Sequence, residues 1–135
     1  VFLFEEIEGF AELYRDRLAF TQTEAAAEID RNFDKLRKFN EVRLYHFVLC
    51  AVPTRLWPRV WRTLADFKVT WLEGCRAKCL YRDQCVGVHR SYLKHVGAPD
   101  IKPISVSRPV TLSGNPYRPI SDGKEGALRL ADLTA

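Results

Sequence analysis

Residues 41–50 read E-V-R-L-Y-H-F-V-L-C. Val42, Leu44, Phe47 and Val48 are β-prone, and Val42/Arg43/Leu44 alternates with period two, so residues 41–49 predict a strand. His46 falls in the middle of it and reads as a core residue. Just upstream, Ala26, Ile29, Phe33 and Leu36 recur at helical spacing, with Glu28, Asp30, Arg31, Lys35 and Arg37 on the other faces. Thr21 and Glu24 have the spacing of a capping box at the start of this helix, and Asn40 is its expected stop. At the beginning of the chain, Val1-Phe2-Leu3-Phe4 reads as a short buried strand. Strand, helix and strand in succession form the βαβ pattern of an α/β protein, a parallel sheet with covering helices. Glu5, Glu6 and Glu8, closed by Gly9, read as a solvated loop, and residues 10–20 as a short helix or irregular loop.

The expected strand ends on Cys50. The C-terminal ends of parallel strands are where α/β folds present functional side chains, which favours a functional cysteine there. Downstream, Cys75, Cys79 and Cys85 are spaced C-x3-C-x5-C. Four thiols divided one plus three read as ligands gathered from two places around one metal centre. Between them, Pro53 and Pro58 frame a turn into a helix expected over residues 58–65, whose stripe of Trp57, Trp61, Leu64 and Phe67 reads as packing. Arg76, Lys78 and Arg82 stand beside the cysteines, where positive charge favours thiolates. Gly87 allows a close approach of backbone. Residues 89–96 predict a short helix, capped by Gly97 and stopped by Pro99.

Composition narrows the function classes. Apolar residues make up 47% and charged residues 28%, as in ordinary globular domains. The net charge of +4 comes from dispersed basic residues, so no nucleic-acid partner is expected. No apolar run approaches the roughly 18 residues of a membrane span, and no secretory leader is visible. With no leader, clustered cysteines imply a reducing, cytoplasmic setting, where they serve metal or redox chemistry. The chain starts at Val1 and has no methionine, which reads as a fragment. From residue 99 onward, prolines, glycines and serines accumulate, so residues 105–135 are expected to be extended or flexible.

Spacing alone leaves the metal open. Structural zinc sites typically pair cysteines in two close couples, with roughly two to four residues inside each. A four-cysteine zinc site, or one using His89 or His95, remains a reading of these residues, and would make the chain a non-enzymatic interaction module. A [4Fe–4S] cluster accepts more varied spacing, because four separate corners each take one thiolate.

The runs V-R-L-Y-H-F-V-L-C-A-V-P-T-R-L-W-P (residues 42–58), L-A-D-F-K-V (64–69) and C-R-A-K-C-L-Y-R-D-Q-C-V-G (75–87) resemble the C-terminal end of radical SAM enzymes. The likeness is closest to the maturases of the His-Xaa-Ser peptide-modification system, and covers residues 41–104. It departs at His46, where that family has asparagine, and at Val86-Gly87, which replaces a glycine pair. The resemblance implies an auxiliary [4Fe–4S] cluster on Cys50, Cys75, Cys79 and Cys85. It also implies S-adenosyl-L-methionine as a cofactor of the full-length enzyme, a peptide or protein substrate, and room for an electron-donor protein. On this reading residues 1–50 are the last βαβ part of a partial (β/α) barrel. Residues 51–104 form a small cysteine-rich extension and residues 105–135 a flexible tail. The initiating C-x3-C-x2-C motif of that family does not occur in these residues, since Cys75-x3-Cys79 is followed by a gap of five. These residues by themselves are therefore expected to be inactive.

Overall fold

The computed structural model describes residues 2–4, 9–61, 69–110 and 112. Three short strands, β1 (Phe2–Phe4), β2 (Arg43–Tyr45) and β3 (Val60–Trp61), form a sheet in the order β1-β2-β3. Both pairings are parallel, with Leu3 opposite Leu44 and Leu44 opposite Val60. The expected strand–helix–strand unit is therefore present. The described strands make an open sheet and not a closed barrel.

Parallel neighbours need a crossover of about a dozen residues or more. Between β1 and β2 it is helical: α1 (Phe10–Leu13), α2 (Arg15–Leu18), α3 (Gln22–Arg31) and α4 (Phe33–Leu36). The capping box forms as expected. The Thr21 hydroxyl accepts from the Glu24 N–H at 3.1 Å, and the Glu24 carboxylate accepts from the Thr21 N–H at 2.8 Å. Ala26 is fully buried, and Ile29, Phe33 and Leu36 pack on the core, as the periodicity predicts. The helix is not continuous, however. It breaks at Asn32, whose side-chain amide donates to the Glu28 carbonyl at 3.0 Å and to its carboxylate at 2.6 Å. A polar side chain that bonds the preceding turn competes with helix propagation.

Two other expectations are corrected. The strand over residues 41–49 shortens to Arg43–Tyr45 because His46 takes a left-handed backbone with φ of 64°. Cys50 therefore does not close the strand. It lies in a 3-10 turn, Leu49–Ala51, beyond it. The expected helix at residues 58–65 is replaced by a 3-10 helix over Thr54–Arg59, and Val60–Trp61 joins the sheet. Trp61 then sits beside Arg43, whose guanidinium lies 3.8 Å from the ring centroid. The rest of that helix, the segment at residues 64–68, the loop glutamates Glu5, Glu6 and Glu8, and the tail beyond residue 112 lie outside the described residues.

A second, antiparallel pair, β4 (Val69–Thr70) and β5 (Val88–His89), brackets α5 (Glu73–Lys78) and a 3-10 turn at Arg82–Gln84. The last helix, α6 (Arg90–His95), ends before Gly97, which has φ of 78° as a helix C-terminus favours. Among the described residues the larger of two apolar clusters joins most of the elements. It contains Ala26 of α3, Leu44 of β2, Trp57, Cys85, Tyr92 of α6 and Ile104. Residues on both sides of position 50 contribute to it.

Candidate metal centre: four thiols around one cavity

Each cysteine is positioned by a different local device. The turn bearing Cys50 is held from below by Trp57, whose indole N–H donates to the carbonyls of Leu49 at 3.0 Å and Val52 at 2.9 Å. It is held from the side by Gln22, which is fully buried. The Gln22 amide donates to the His46 carbonyl at 2.9 Å and accepts from the Val48 N–H at 2.8 Å. That pair of bonds brackets His46 and keeps the chain in its left-handed bend there.

Cys75 and Cys79 are one helical turn apart, linked by a bond from the Cys79 N–H to the Cys75 carbonyl at 3.2 Å. Cys75 is in α5, and Cys79 is its C-cap. Cys85 follows the 3-10 turn, with its N–H on the Tyr81 carbonyl at 2.9 Å. The β4–β5 pairing draws the two ends of this segment together. Gly87 is needed at the crossing: its φ is 85°, and a Cβ there would stand 3.0 Å from the Thr70 carbonyl oxygen and 3.4 Å from the Trp71 ring.

All four thiols line one small cavity, partly open to solvent. Trp71, Tyr81, Ile101, Lys102 and Ile104 complete much of its wall. Cys75 and Cys85 are buried, while Cys50 and Cys79 are half-buried. All four are free thiols. Burial pushes the Cys50 thiol up to about 12 and the Cys85 thiol up to about 11, and raises Cys75 as well. The three other thiols each add to the rise at Cys50, which puts the set within electrostatic reach of one another. Against burial work backbone N–H groups. That of Lys102 bonds the Cys50 sulfur, and those of Gly87 and Leu49 bond the Cys85 sulfur. Such N–H donors stabilise thiolates and tune the potential of sulfur-ligated iron.

The structure thus brings together all four expected cysteines. It does not bring the histidines. His89 stacks on His46 with centroids 5.2 Å apart, and its Nδ1 is 2.8 Å from the Ser91 hydroxyl. His95 pairs with Glu12 at 3.2 Å. Neither lines the cavity, so the substitution of a histidine ligand for a cysteine is set aside. Among the described residues no group of three or more His, Cys, Asp or Glu is gathered as a single metal ion requires.

Sequence reasoning missed the part played by residues 101–108. Ile101, Lys102 and Ile104 wall the cavity, the Leu80 N–H donates to the Ile104 carbonyl at 2.8 Å, and the Tyr81 hydroxyl bonds the backbone of Arg108. The two isoleucines Ile101 and Ile104 were a faint signal in a stretch rich in proline and serine. Comparison of the chain with protein-family models, with curated proteins and with solved structures found no match. Among the described residues, no helix is long and apolar enough to cross a membrane.

Proposed function

We propose that this chain binds an auxiliary [4Fe–4S] cluster through Cys50, Cys75, Cys79 and Cys85. On this reading it belongs to a cytoplasmic radical SAM enzyme that modifies a peptide or protein substrate. The observation that carries the reading is the convergence of four thiols, from two separated segments, on one cavity. Four sulfur donors suit iron–sulfur chemistry, and a cluster spreads its ligands over four corners. The preference for a cluster over a single zinc ion rests on the one-plus-three spacing of the cysteines, which departs from the two close couples of structural zinc sites. The resemblance of residues 41–104 to the His-Xaa-Ser maturases points the same way.

When bound through all four thiolates, the cluster would supply one-electron transfer. The chain's own contribution is definable without it. Trp71, Tyr81, Ile101 and Ile104 limit water at the sulfurs, and N–H groups of Leu49, Gly87 and Lys102 favour thiolate. Protonated, buried thiols must release protons on metal binding, so uptake is expected to strengthen with rising pH. S-adenosyl-L-methionine cleavage would belong to a C-x3-C-x2-C cluster elsewhere in the enzyme, with an electron-donor protein as its source of reducing equivalents.

The test is iron and sulfide content, with a visible spectrum, after anaerobic reconstitution. About four of each per chain, with a broad charge-transfer band lost in Cys75→Ala and Cys85→Ala, is the expected result. One zinc and no iron in folded protein sinks the proposal.

A further inference from the structure

Four exposed cations, Arg76, Lys78, Lys102 and Arg108, belong to the two segments that wall the cysteine cavity. Residues 73–110 contain seven Lys and Arg against three Asp and Glu, so this segment accounts for the whole net charge of +4. Of the three acids Glu73 is exposed on α5, and the other two are engaged. Asp100 faces inward, accepting from the Thr23 N–H at 2.9 Å and from the Tyr92 hydroxyl at 2.5 Å. Asp83 is paired with Arg82 at 3.0 Å.

These four cations are carried by two strips that run side by side, Arg76 and Lys78 on different sides of α5. Residues 101–108 run along the α5 loop, tied to it by the Leu80–Ile104 backbone bond and the Tyr81–Arg108 bonds, with Pro103 against Gly74. Arg76 and Lys78 on one strip, and Lys102 and Arg108 on the other, are exposed. On the same two strips two large apolar side chains stand in solvent, Leu80 at 56% and Val106 at 71% exposure. Beneath them the same two strips wall the cavity on which half-buried Cys50 and Cys79 open.

We propose that this surface docks an acidic peptide segment, with carboxylates on the Arg76, Lys78, Lys102 and Arg108 cations and apolar side chains on Leu80 and Val106. The identification of that segment as part of the substrate rests on the metal-centre reading above; the surface itself does not. Complementary charge speeds and orients encounter and makes binding salt-dependent, while the apolar pair supplies contact that salt does not weaken. A peptide held there lies over the mouth of the thiol cavity.

The experiment is fluorescence anisotropy on the reconstituted protein, with a short fluorescein-labelled Glu/Leu peptide and a Lys/Leu peptide of the same length. The Glu/Leu peptide is expected to bind and the Lys/Leu peptide not. Affinity should fall at high salt, and by at least about tenfold in the double variant Lys78→Glu with Arg108→Glu. Both side chains are exposed, so the fold should tolerate the change, and an unchanged circular dichroism spectrum checks this. Equal binding of the two peptides, or unchanged affinity in the folded double variant, overturns the docking surface. So does full displacement of the peptide by a DNA oligonucleotide of equal charge, which would assign the surface to nucleic acid. Iron content is read on the same samples. Normal iron with no peptide binding removes the surface and spares the cluster. Peptide binding with no iron uptake removes the cluster and spares the surface.

Discussion

The indole N–H of Trp57 donates to the carbonyl oxygen of Leu49, one residue before Cys50, at 3.0 Å. Trp57 is almost fully buried, and meets Tyr81, on the opposite cysteine segment, edge to face at 4.9 Å. One ring thereby fastens the lone cysteine's turn to the loop that carries the other three.

Trp57→Phe keeps most of the packing and removes the donor. The Val52 carbonyl, at 2.9 Å from the indole nitrogen, then loses its bond. A loss of about 1–2 kcal/mol is expected in urea unfolding. Reconstituted iron should fall with it, because the turn bearing Cys50 is less well held. Full stability with full iron would show that the tryptophan only fills space.

Gln22→Leu removes both bonds that hold the bend after β2. The buried Val48 N–H and the His46 carbonyl lose their partners on Gln22. A cost of about 2–4 kcal/mol follows from unsatisfied buried polar groups, readable in thermal or urea unfolding. If the variant is as stable as the parent, the left-handed turn at His46 holds itself.

Gly87→Ala meets two obstacles at once, a positive φ and the Thr70 carbonyl at 3.0 Å. The expected loss is about 1–3 kcal/mol. The damage should concentrate at the β4–β5 junction, visible as faster amide exchange at Thr70 and Val88. A spread of faster exchange over α3 instead would contradict a local effect.

The capping box should impose a pH dependence. The Thr21 N–H and hydroxyl hold the Glu24 carboxyl below its ordinary 4.5. A carboxyl depressed in the fold contributes stability above its unfolded pKa, and that contribution disappears as pH falls through the folded value. The stability gap between the parent and Glu24→Ala is therefore expected to be largest near neutrality and to shrink below pH 4.5. Denaturation curves at a series of pH values check it; a gap independent of pH would mean that the carboxylate's charge contributes nothing.

Much of this molecule follows from local rules. The capping box, the stripe of Ala26, Ile29, Phe33 and Leu36, the strand core around Leu44 and the glycine stop at Gly97 were all readable, because each depends on neighbours within a turn or two. The four cysteines announced themselves by residue type and spacing. What depended on distant partners was not readable. By sequence His46 reads as a strand residue, and only the Gln22 side chain, contributed by the start of α3, shows why the chain turns there. Trp61 sat in a helical stripe but joins the sheet, since β2 offers its backbone hydrogen bonds a ladder. The wall of the cavity at Ile101, Lys102 and Ile104 lies in a stretch whose proline and serine content masks its role. The sequence alone thus determined the α/β order of elements and the identity of the four thiols. Tertiary structure alone decided that those thiols share a cavity, and that residues 101–108 lie along the α5 loop and help to wall it. Local propensity is a property of a few adjacent residues, whereas convergence is set by which buried groups satisfy one another across the core.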